Sequence, residues 1–396
     1  MSTAKAVVLA LALLAVSAGC LHGLPGLSGA TYPKIVPDPA GTMPEPPEYQ
    51  FPFQDYSVTL PPIPVESPVY AGARSAEKSA RIHDGAIGED EWLSGIYTSM
   101  IVDPAQDRFY EDLLSRLREI RNEHRLDDDE YLELVTVFVQ SIDYENLDLV
   151  HPKYPIETYV DGRGDCDDRS MLLAGLLSRE GYRVSLLYFD SELHMGVGID
   201  CGDEGYANTG YGYIETTNVT LVGIVPTTLR GGTVLSSYPL VIPVGDGTRT
   251  YTRCSETRAI WEKLKEMEVT LTESGPGIRV LESRLRAEAE SLELQRSNLD
   301  ALLARGNTRA YNNQVPAFNA AIRSYNQHLD EYREKSDRYN SLAELPNFIL
   351  THQHDRKVSV TVRMNARKKS DRYNSPANLH NYVLQHQHDR KVSVTV

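Results

Sequence analysis

The sequence predicts an α+β domain followed by an antiparallel helical hairpin that packs as a coiled coil. Two observations predict the domain: a strongly apolar helix pattern follows residue 165, and strand-like alternation follows that helix. The hairpin rests on a third observation, because apolar and aromatic residues recur at seven-residue spacing between residues 278 and 339. A chain of 396 residues has room for two or three domains.

The helix of the domain is predicted to begin at Cys166. Apolar residues recur at helical spacing over 171–177, and Gly181 is suited to end the helix. Asp165 is the expected N-cap, with Asp168 completing an imperfect capping box. The helix dipole then favours a Cys166 thiolate, whereas the neighbouring carboxylates oppose it, so an imidazolium is needed as a partner.

Strands after this helix supply a histidine and a carboxylate. Residues 184–189 form a predicted buried strand, and residues 194–199 alternate from His194 onward. In the segment 211–216, Tyr211, Tyr213 and Glu215 share a face. If the last two strands pair antiparallel, Glu215 reaches the ring nitrogen of His194 that faces away from the thiol.

Four motifs carry a family resemblance, and they are YPIET at 154–158, GRGDCDD at 162–168, HMGVG at 194–198 and YIETT at 213–217. Together they make residues 138–226 resemble the transglutaminase-like cysteine-enzyme superfamily, particularly its secreted archaeal and bacterial members. The resemblance implies a papain-related α+β fold with Cys166 as nucleophile, His194 as base and Glu215 as orienting acid. The glutamate is a departure, because the superfamily more often carries aspartate there.

Two amphipathic helices are predicted upstream, over 109–120 and 132–142. Gln140 on the second is the candidate donor to a developing oxyanion, as a papain-like site requires. The alternative reading, a solvated helix glutamine, is favoured by general burial habits.

The N-terminus predicts export. Residues 1–20 read as a signal peptide with a lipobox-like end at Cys20, the candidate lipidation site, and the apolar core is too short to span a membrane. Residues 21–70 are Pro-rich and predict an extended tether that holds the catalytic domain, residues 71–254, off the membrane. We therefore expect an extracytoplasmic protein that is anchored to the cell membrane or secreted.

Composition limits the partners and cofactors. The chain has 40 basic and 55 acidic residues and a net charge of −15, which disfavours nucleic acid and anionic lipid surfaces. Of its four cysteines, Cys201 and Cys254 remain once Cys20 and Cys166 are assigned. A disulfide between them is the prediction for an oxidising compartment, and two separate buried thiols are the alternative.

The predicted hairpin arm covers residues 255–350, with a break at residues 305–307. Its function is read as a spacer or a docking arm for a partner. The first seam consists of Ile278, Leu281, Leu285, Leu292, Leu299 and Leu302, and the second of Val315, Phe318, Ile322, Tyr325, Leu329, Tyr332 and Tyr339.

A tandem duplication ends the chain over residues 351–396. The stretch 335–362 recurs as 369–396, and each copy contains His-Gln-His-Asp, at 352–355 and at 386–389. An alternating His-x-His pattern is able to bind a metal, but no further ligand cluster accompanies it, so a copied polar strand entry is favoured. The sequence predicts no metal site and no cofactor.

These features predict acyl transfer on a protein or peptide substrate. Cys166 attacks an amide carbonyl, His194 protonates the leaving amine, and a thioester forms. Hydrolysis by water makes the protein a cysteine peptidase or amidase, and this comes first because no dedicated amine site is visible. The alternatives are a protein-crosslinking transamidase and a catalytically inactive peptide-binding or adhesion scaffold.

Overall fold

The computed structural model describes residues 29–83, 87–145, 151–202, 205–229 and 232–351. The predicted signal peptide with Cys20 and the repeated histidine motifs of the tail lie outside the described residues. The described chain mixes helices and strands, so the predicted α+β class is confirmed. No helix in these ranges is long and apolar enough for a membrane span.

Ten strands and eight helices are described within these ranges. The strands are β1 Ala30–Thr31, β2 Tyr49–Phe53, β3 Tyr56–Leu60, β4 Arg81–Ile82, β5 Asp143–Tyr144, β6 Arg163–Gly164, β7 Val184–Phe189, β8 His194–Asp200, β9 Tyr211–Ile214 and β10 Leu240–Val244. The helices are α1 Ser67–Ser75, α2 Glu89–Ile101, α3 Asp107–His124, α4 Asp128–Ser141, α5 Pro155–Asp161, α6 Cys166–Arg179, α7 Cys254–Ala304 and α8 Thr308–Thr351.

The main sheet is antiparallel throughout, with strand order β10–β7–β8–β9. The predicted strands β7 and β8 are present, and their register pairs Phe189 with His194. Strands β8 and β9 pair Val197 with Ile214, so the residues just beyond β9 come alongside the start of β8. Helix α6 packs on this sheet through a continuous run of buried residues, which include Met171, Leu172, Leu173, Leu176 and Leu177.

Helix α4 lies at the centre of the core, since eleven of its fourteen residues are buried. Asp127 caps its N-terminus and forms a reciprocal capping box with Glu130. Its C-terminal carbonyls are bound by a buried arginine of α6: Arg169 Nη2 donates to the oxygens of Val139, at 3.1 Å, and Gln140, at 2.6 Å. This contact fixes α6 against α4.

The prediction of an extended tether over residues 21–70 is wrong for the described part, residues 29–70. Strands β2 and β3 form a hairpin, and the side chains of Tyr49, Phe51 and Phe53 alternate into the core. The Tyr49 ring meets Phe138 of α4 edge-on, with centroids 5.2 Å apart. Proline occurs here at an edge strand and at a helix start, both of which accept it, so proline content alone misled the prediction. The folded domain therefore begins well before the predicted residue 71.

The two long helices α7 and α8 form the predicted antiparallel hairpin, turning at residues 305–307. Glu288 of α7 binds His328 of α8, whereas Gly275, nearer the start of α7, lies close to Tyr339 near the end of α8. All residues of the two predicted seams are buried or half-buried. At its base the hairpin packs on the loop after β9 through an apolar cluster that includes Leu221, Ile224, Ile260, Leu264, Met267 and Leu342.

Candidate active site

Cys166 is the first residue of α6, at the position that the sequence predicts. Asp165 is the N-cap: its side chain accepts from the main-chain nitrogen of Asp168 at 3.3 Å, and the Asp168 carboxylate accepts in return from the nitrogen of Asp165. Cys166 is only partly buried, and within the described residues it is the one cysteine outside a disulfide. Its side chain thus lies at a helix N-terminus with access to solvent.

Hydroxyl groups tie the first turn of α6 to the ends of β8 and β9. Ser170 Oγ donates to the Met195 carbonyl oxygen at 3.1 Å and lies 3.0 Å from Thr216 Oγ1. Thr216 Oγ1 also donates to the Cys166 carbonyl oxygen at 3.4 Å. These bonds hold the thiol, the histidine strand and the carboxylate strand in one site.

His194, Tyr213 and Glu215 form a closed triangle of polar contacts. His194 Nε2 lies 2.9 Å from the Tyr213 hydroxyl and 3.3 Å from Glu215 Oε2. The Tyr213 hydroxyl in turn donates to Glu215 Oε2 at 2.7 Å. The predicted reach of Glu215 to His194 is therefore present, and Tyr213 is an additional member. Its only signal in the sequence is that it alternates with Glu215 on one strand face.

The other carboxylate oxygen of Glu215 is enclosed by donors. Oε1 accepts from the Thr216 nitrogen at 2.9 Å, the Thr217 nitrogen at 2.6 Å and Thr217 Oγ1 at 2.6 Å. Burial opposes ionisation, but the contact with His194, the positive charge of its protonated ring, and the hydrogen bonds from Thr217 and Tyr213 lower the pKa of Glu215 to about 2. Glu215 is thus a fully buried carboxylate that stays ionised at neutral pH.

A Cys166 thiolate was expected in the free protein, but the surroundings of the sulfur oppose it. Burial raises the pKa of Cys166, the negative charges of Asp167 and Asp165 raise it further, and a hydrogen bond from the Met195 main chain opposes them. The helix N-terminus is therefore outweighed by burial and by its own acidic first turn. These surroundings therefore favour the thiol form of Cys166, whose proton must be removed during the reaction.

The three aspartates of this turn are structural. Their carboxylate oxygens lie within 4.8 Å of one another, a spacing that suits a metal ion. However, Asp168 accepts from the main-chain nitrogens of Lys153 and Asp165, and Asp167 accepts from the nitrogen of Asp168. Burial raises the pKa of Asp168 to about 7 and that of Asp167 well above its ordinary value. These carboxylates accept hydrogen bonds from main-chain nitrogens in and beside the helix cap, which accounts for their close spacing.

The assignment of Gln140 as an oxyanion donor is wrong. Its side-chain nitrogen donates to the main-chain oxygen of Glu215 at 2.7 Å and to that of Thr220 at 3.3 Å. These two bonds use both amide hydrogens, and the Gln140 side chain is buried. It fixes the backbone that carries the carboxylate instead of facing the thiol.

Two tyrosines lie near Asp167, and neither was predicted from the sequence. Tyr97 of α2 and Tyr188 of β7 have ring centroids 6.2 Å apart. Burial raises the pKa of Tyr97, and the nearby carboxylate of Asp167 raises it further. Burial also raises the pKa of Tyr188, so both phenols stay protonated.

A disulfide joins Cys201 to Cys254, the pairing that the sequence favoured, with Cα atoms 5.9 Å apart. It connects the end of β8 opposite His194 to the first residue of α7. A Cβ atom on Gly212 would lie 2.4 Å from the sulfur of Cys201, and one on Gly223 would lie 2.8 Å from that of Cys254. Glycine at both positions makes room for the bridge.

The chain matches no family model, no curated protein and no solved structure. Its class therefore rests on its own fold and geometry: an α+β protein in which a strand histidine contacts a buried carboxylate, and the residue after that carboxylate is hydrogen-bonded to a helix-start cysteine.

Proposed function

We propose that this protein is an extracytoplasmic, membrane-tethered cysteine peptidase or amidase with a transglutaminase-like catalytic domain. The observation that carries the proposal is the contact of His194 Nε2 with Glu215 and Tyr213, on strand ends that are hydrogen-bonded to the helix turn that begins at Cys166. A buried ionised carboxylate behind an imidazole, with a thiol in front of it, is the arrangement that nucleophilic acyl transfer requires.

The first half-reaction forms a thioester. The Cys166 sulfur attacks the amide carbonyl carbon while its proton passes to His194, and the carbonyl oxygen becomes an oxyanion. When the intermediate collapses, the carbon–nitrogen bond breaks and His194 returns the proton to the leaving amine. The charge of Glu215 stabilises the imidazolium in between, which offsets the raised pKa of the thiol.

The second half-reaction hydrolyses the thioester. His194 takes a proton from water, the hydroxide attacks the carbonyl carbon, and the carbon–sulfur bond breaks to release an acid and the thiol. Water is the most abundant nucleophile, and Cys166 is partly exposed to it. Hydrolysis is therefore preferred to transfer onto an amine.

Main-chain donors are the available stabilisers of the oxyanion. The N–H groups of the first helical turn have no partner within a helix. As the first residue of α6, Cys166 offers such an N–H beside its own thiol. This donor takes the role of oxyanion donor that was predicted for Gln140.

The remaining parts of the chain bear on where the enzyme is located and on what it contacts. The predicted signal with Cys20 anchors it outside the membrane, and the disulfide between Cys201 and Cys254 suits an oxidising compartment. The long hairpin of α7 and α8 is a docking arm for a partner or a spacer, packed against the domain at its base.

A peptide library tests the proposal. The full chain, extracted in detergent, is incubated with the library, and products are read by mass spectrometry. Cleavage is expected for the parent and for His328→Ala, a matched control in the hairpin, and not for Cys166→Ala or His194→Ala. Products that persist in Cys166→Ala would contradict the proposal, as would intact peptides throughout. Addition of a primary amine probe reveals transamidation if the label enters the peptides.

A further inference from the structure

We propose that Tyr213 is a positioning residue that fixes the tautomer of His194, so that Nδ1 is the basic nitrogen of the site. The inference rests on the proposed function for its consequence, but its hydrogen-bond logic is independent of any substrate. It begins from the triangle of His194, Tyr213 and Glu215.

The hydroxyl of Tyr213 has one proton, and the geometry assigns it to Glu215. Glu215 Oε2 is 2.7 Å away and is an acceptor only, because the carboxylate is ionised and its other oxygen already accepts from Thr216 and Thr217. If the hydroxyl pointed elsewhere, two oxygens would face each other at 2.7 Å without a proton between them. The direction of this bond is therefore fixed.

The Tyr213 oxygen is then left as an acceptor toward His194. His194 Nε2 lies 2.9 Å from that oxygen, so Nε2 must carry the hydrogen that completes the bond. Nε2 also lies 3.3 Å from Glu215 Oε2, a distance that allows an ion pair when the ring is protonated. In a neutral imidazole with a proton on Nε2, Nδ1 holds the lone pair.

Burial makes the relay rigid. Tyr213 and Glu215 are fully buried, and His194 is only 7% exposed, so water does not compete for these bonds. The Tyr213 ring is packed by Phe189 and Tyr206, with centroids 6.2 and 6.1 Å away. The Tyr213 hydroxyl is held between His194 and Glu215. Glu215 therefore acts on the tautomer of His194 mainly through this hydroxyl.

The test is Tyr213→Phe in the full chain, which keeps the ring and removes only the hydroxyl. The matched control is Tyr206→Phe, which takes a hydroxyl from the neighbouring ring, where its contact is the Ser237 carbonyl oxygen. Thermal melting verifies that both variants fold. If Tyr213→Phe does not fold, the tautomer of His194 in the parent still tests the proposal, because a proton on Nδ1 there would contradict it.

Nitrogen NMR of ¹⁵N-histidine-labelled protein reads the tautomer directly. In the parent and in Tyr206→Phe, His194 is expected to show a protonated Nε2 and an unprotonated Nδ1. In Tyr213→Phe the two ring signals should move toward each other as both tautomers become populated. A proton on Nδ1 in the parent would overturn the proposal, and so would an unchanged tautomer in Tyr213→Phe.

Kinetics give the second readout. Cys166 alkylation by iodoacetamide at pH 7, followed by peptide mapping, should slow about tenfold in Tyr213→Phe, because a misoriented base removes part of a general-base contribution of roughly a hundredfold or more. With any peptide that the library identifies, kcat should fall and KM should stay unchanged. An alkylation rate equal to that of Tyr206→Phe would contradict the positioning role.

A double variant completes the design. If Tyr213 and Glu215 act in series, Tyr213→Phe combined with Glu215→Gln should alkylate no more slowly than the slower single variant. Multiplied effects would indicate separate roles and overturn the relay. A protein that shows the tautomer shift but cleaves no peptide would sink the proposed function and leave the relay standing.

Discussion

Gln140 donates its side-chain amide to the main-chain oxygen of Glu215 at 2.7 Å, so helix α4 holds in place the segment that carries the carboxylate. A second bond from the same amide reaches the Thr220 oxygen at 3.3 Å. The loop after β9 is thereby fixed at two points, on either side of the turn that leads to the hairpin base.

Gln140→Met should destabilise the fold without the signature of a lost oxyanion donor. The change leaves buried carbonyl oxygens without partners, which costs about 1–3 kcal/mol in the free energy of unfolding by urea. Gln106→Met is the matched control, because Gln106 is also buried and donates to a main-chain oxygen, that of Met100 at 2.8 Å. If Gln140→Met instead kept full stability and lost roughly a hundredfold or more in kcat, Gln140 would be an oxyanion donor after all.

The Cys166 thiol of the free protein should titrate above the ordinary value of about 8.5. Burial and the charges of Asp167 and Asp165 raise its pKa. Asp165→Asn preserves a good N-cap while it removes one charge, so the pKa should fall and alkylation at pH 7 should accelerate. The measurement is the rate of iodoacetamide labelling against pH, read on the peptide that contains Cys166.

A control for this change exists in the same chain. Asp127 caps α4 with the same kind of capping box, so Asp127→Asn alters a cap charge without altering the thiol. The labelling profile of Asp127→Asn should equal that of the parent. A parent thiol that titrates below 8.5 would restore the thiolate predicted from the sequence.

Glu215→Gln should lower turnover by roughly ten-thousandfold, the size of the effect known for amide replacement in triads. An amide in place of Oε2 donates to the Tyr213 oxygen, so the Tyr213 proton turns toward His194 Nε2 and the ring hydrogen moves to Nδ1. The base then has the wrong tautomer. Glu215→Asp keeps the charge and should retain partial activity. A near-normal kcat in Glu215→Gln would show that the charge of Glu215 has no part in catalysis.

Much of this site follows from local sequence, and the rest depends on contacts between distant segments. The start of α6 at Cys166 and the bounds of β7 were predictable, because an N-cap and an apolar period are local signals. The role of Gln140 was not, since the direction of its side chain depends on a segment 75 residues away. The relay through Tyr213 likewise requires the register of β9 against β8, which spacing alone does not determine.

The free energy of unfolding should depend on pH in the range where Glu215 titrates. Its pKa is about 2 in the folded protein, below its ordinary value of 4.5, so its contribution is fully present above about pH 4.5 and is lost as pH falls toward 2. That contribution is up to about 3 kcal/mol. The difference in unfolding free energy between the parent and Glu215→Gln should shrink across this window.

The control for this measurement is Glu119→Gln, a surface carboxylate that is 60% exposed and paired with Arg116. Exposed pairs of this kind contribute little, so this variant should follow the parent at every pH. A parent-minus-Glu215→Gln difference that stays constant from pH 5 to pH 2 would mean that Glu215 gains no stability from being ionised.

The disulfide should stabilise the fold without taking part in the chemistry. It closes a loop across a sequence separation of 53 residues, and the chain-entropy model gives such a bridge about 4 kcal/mol. The double variant Cys201→Ser with Cys254→Ser should therefore lose about that much in urea unfolding. Cys166→Ser is the control, since it changes one partly exposed sulfur and should leave stability nearly unchanged.

Alkylation of Cys166 separates the two roles. The bridge lies at the end of β8 opposite His194, so the double variant should label Cys166 at the parent rate below its melting temperature. Non-reducing peptide maps of the exported parent should show Cys201 and Cys254 linked. Two free thiols there would refute the bridge. If Cys166 reacted more slowly in the folded double variant, the disulfide that joins α7 to the end of β8 would instead be shown to affect the position of His194 at the other end of that strand.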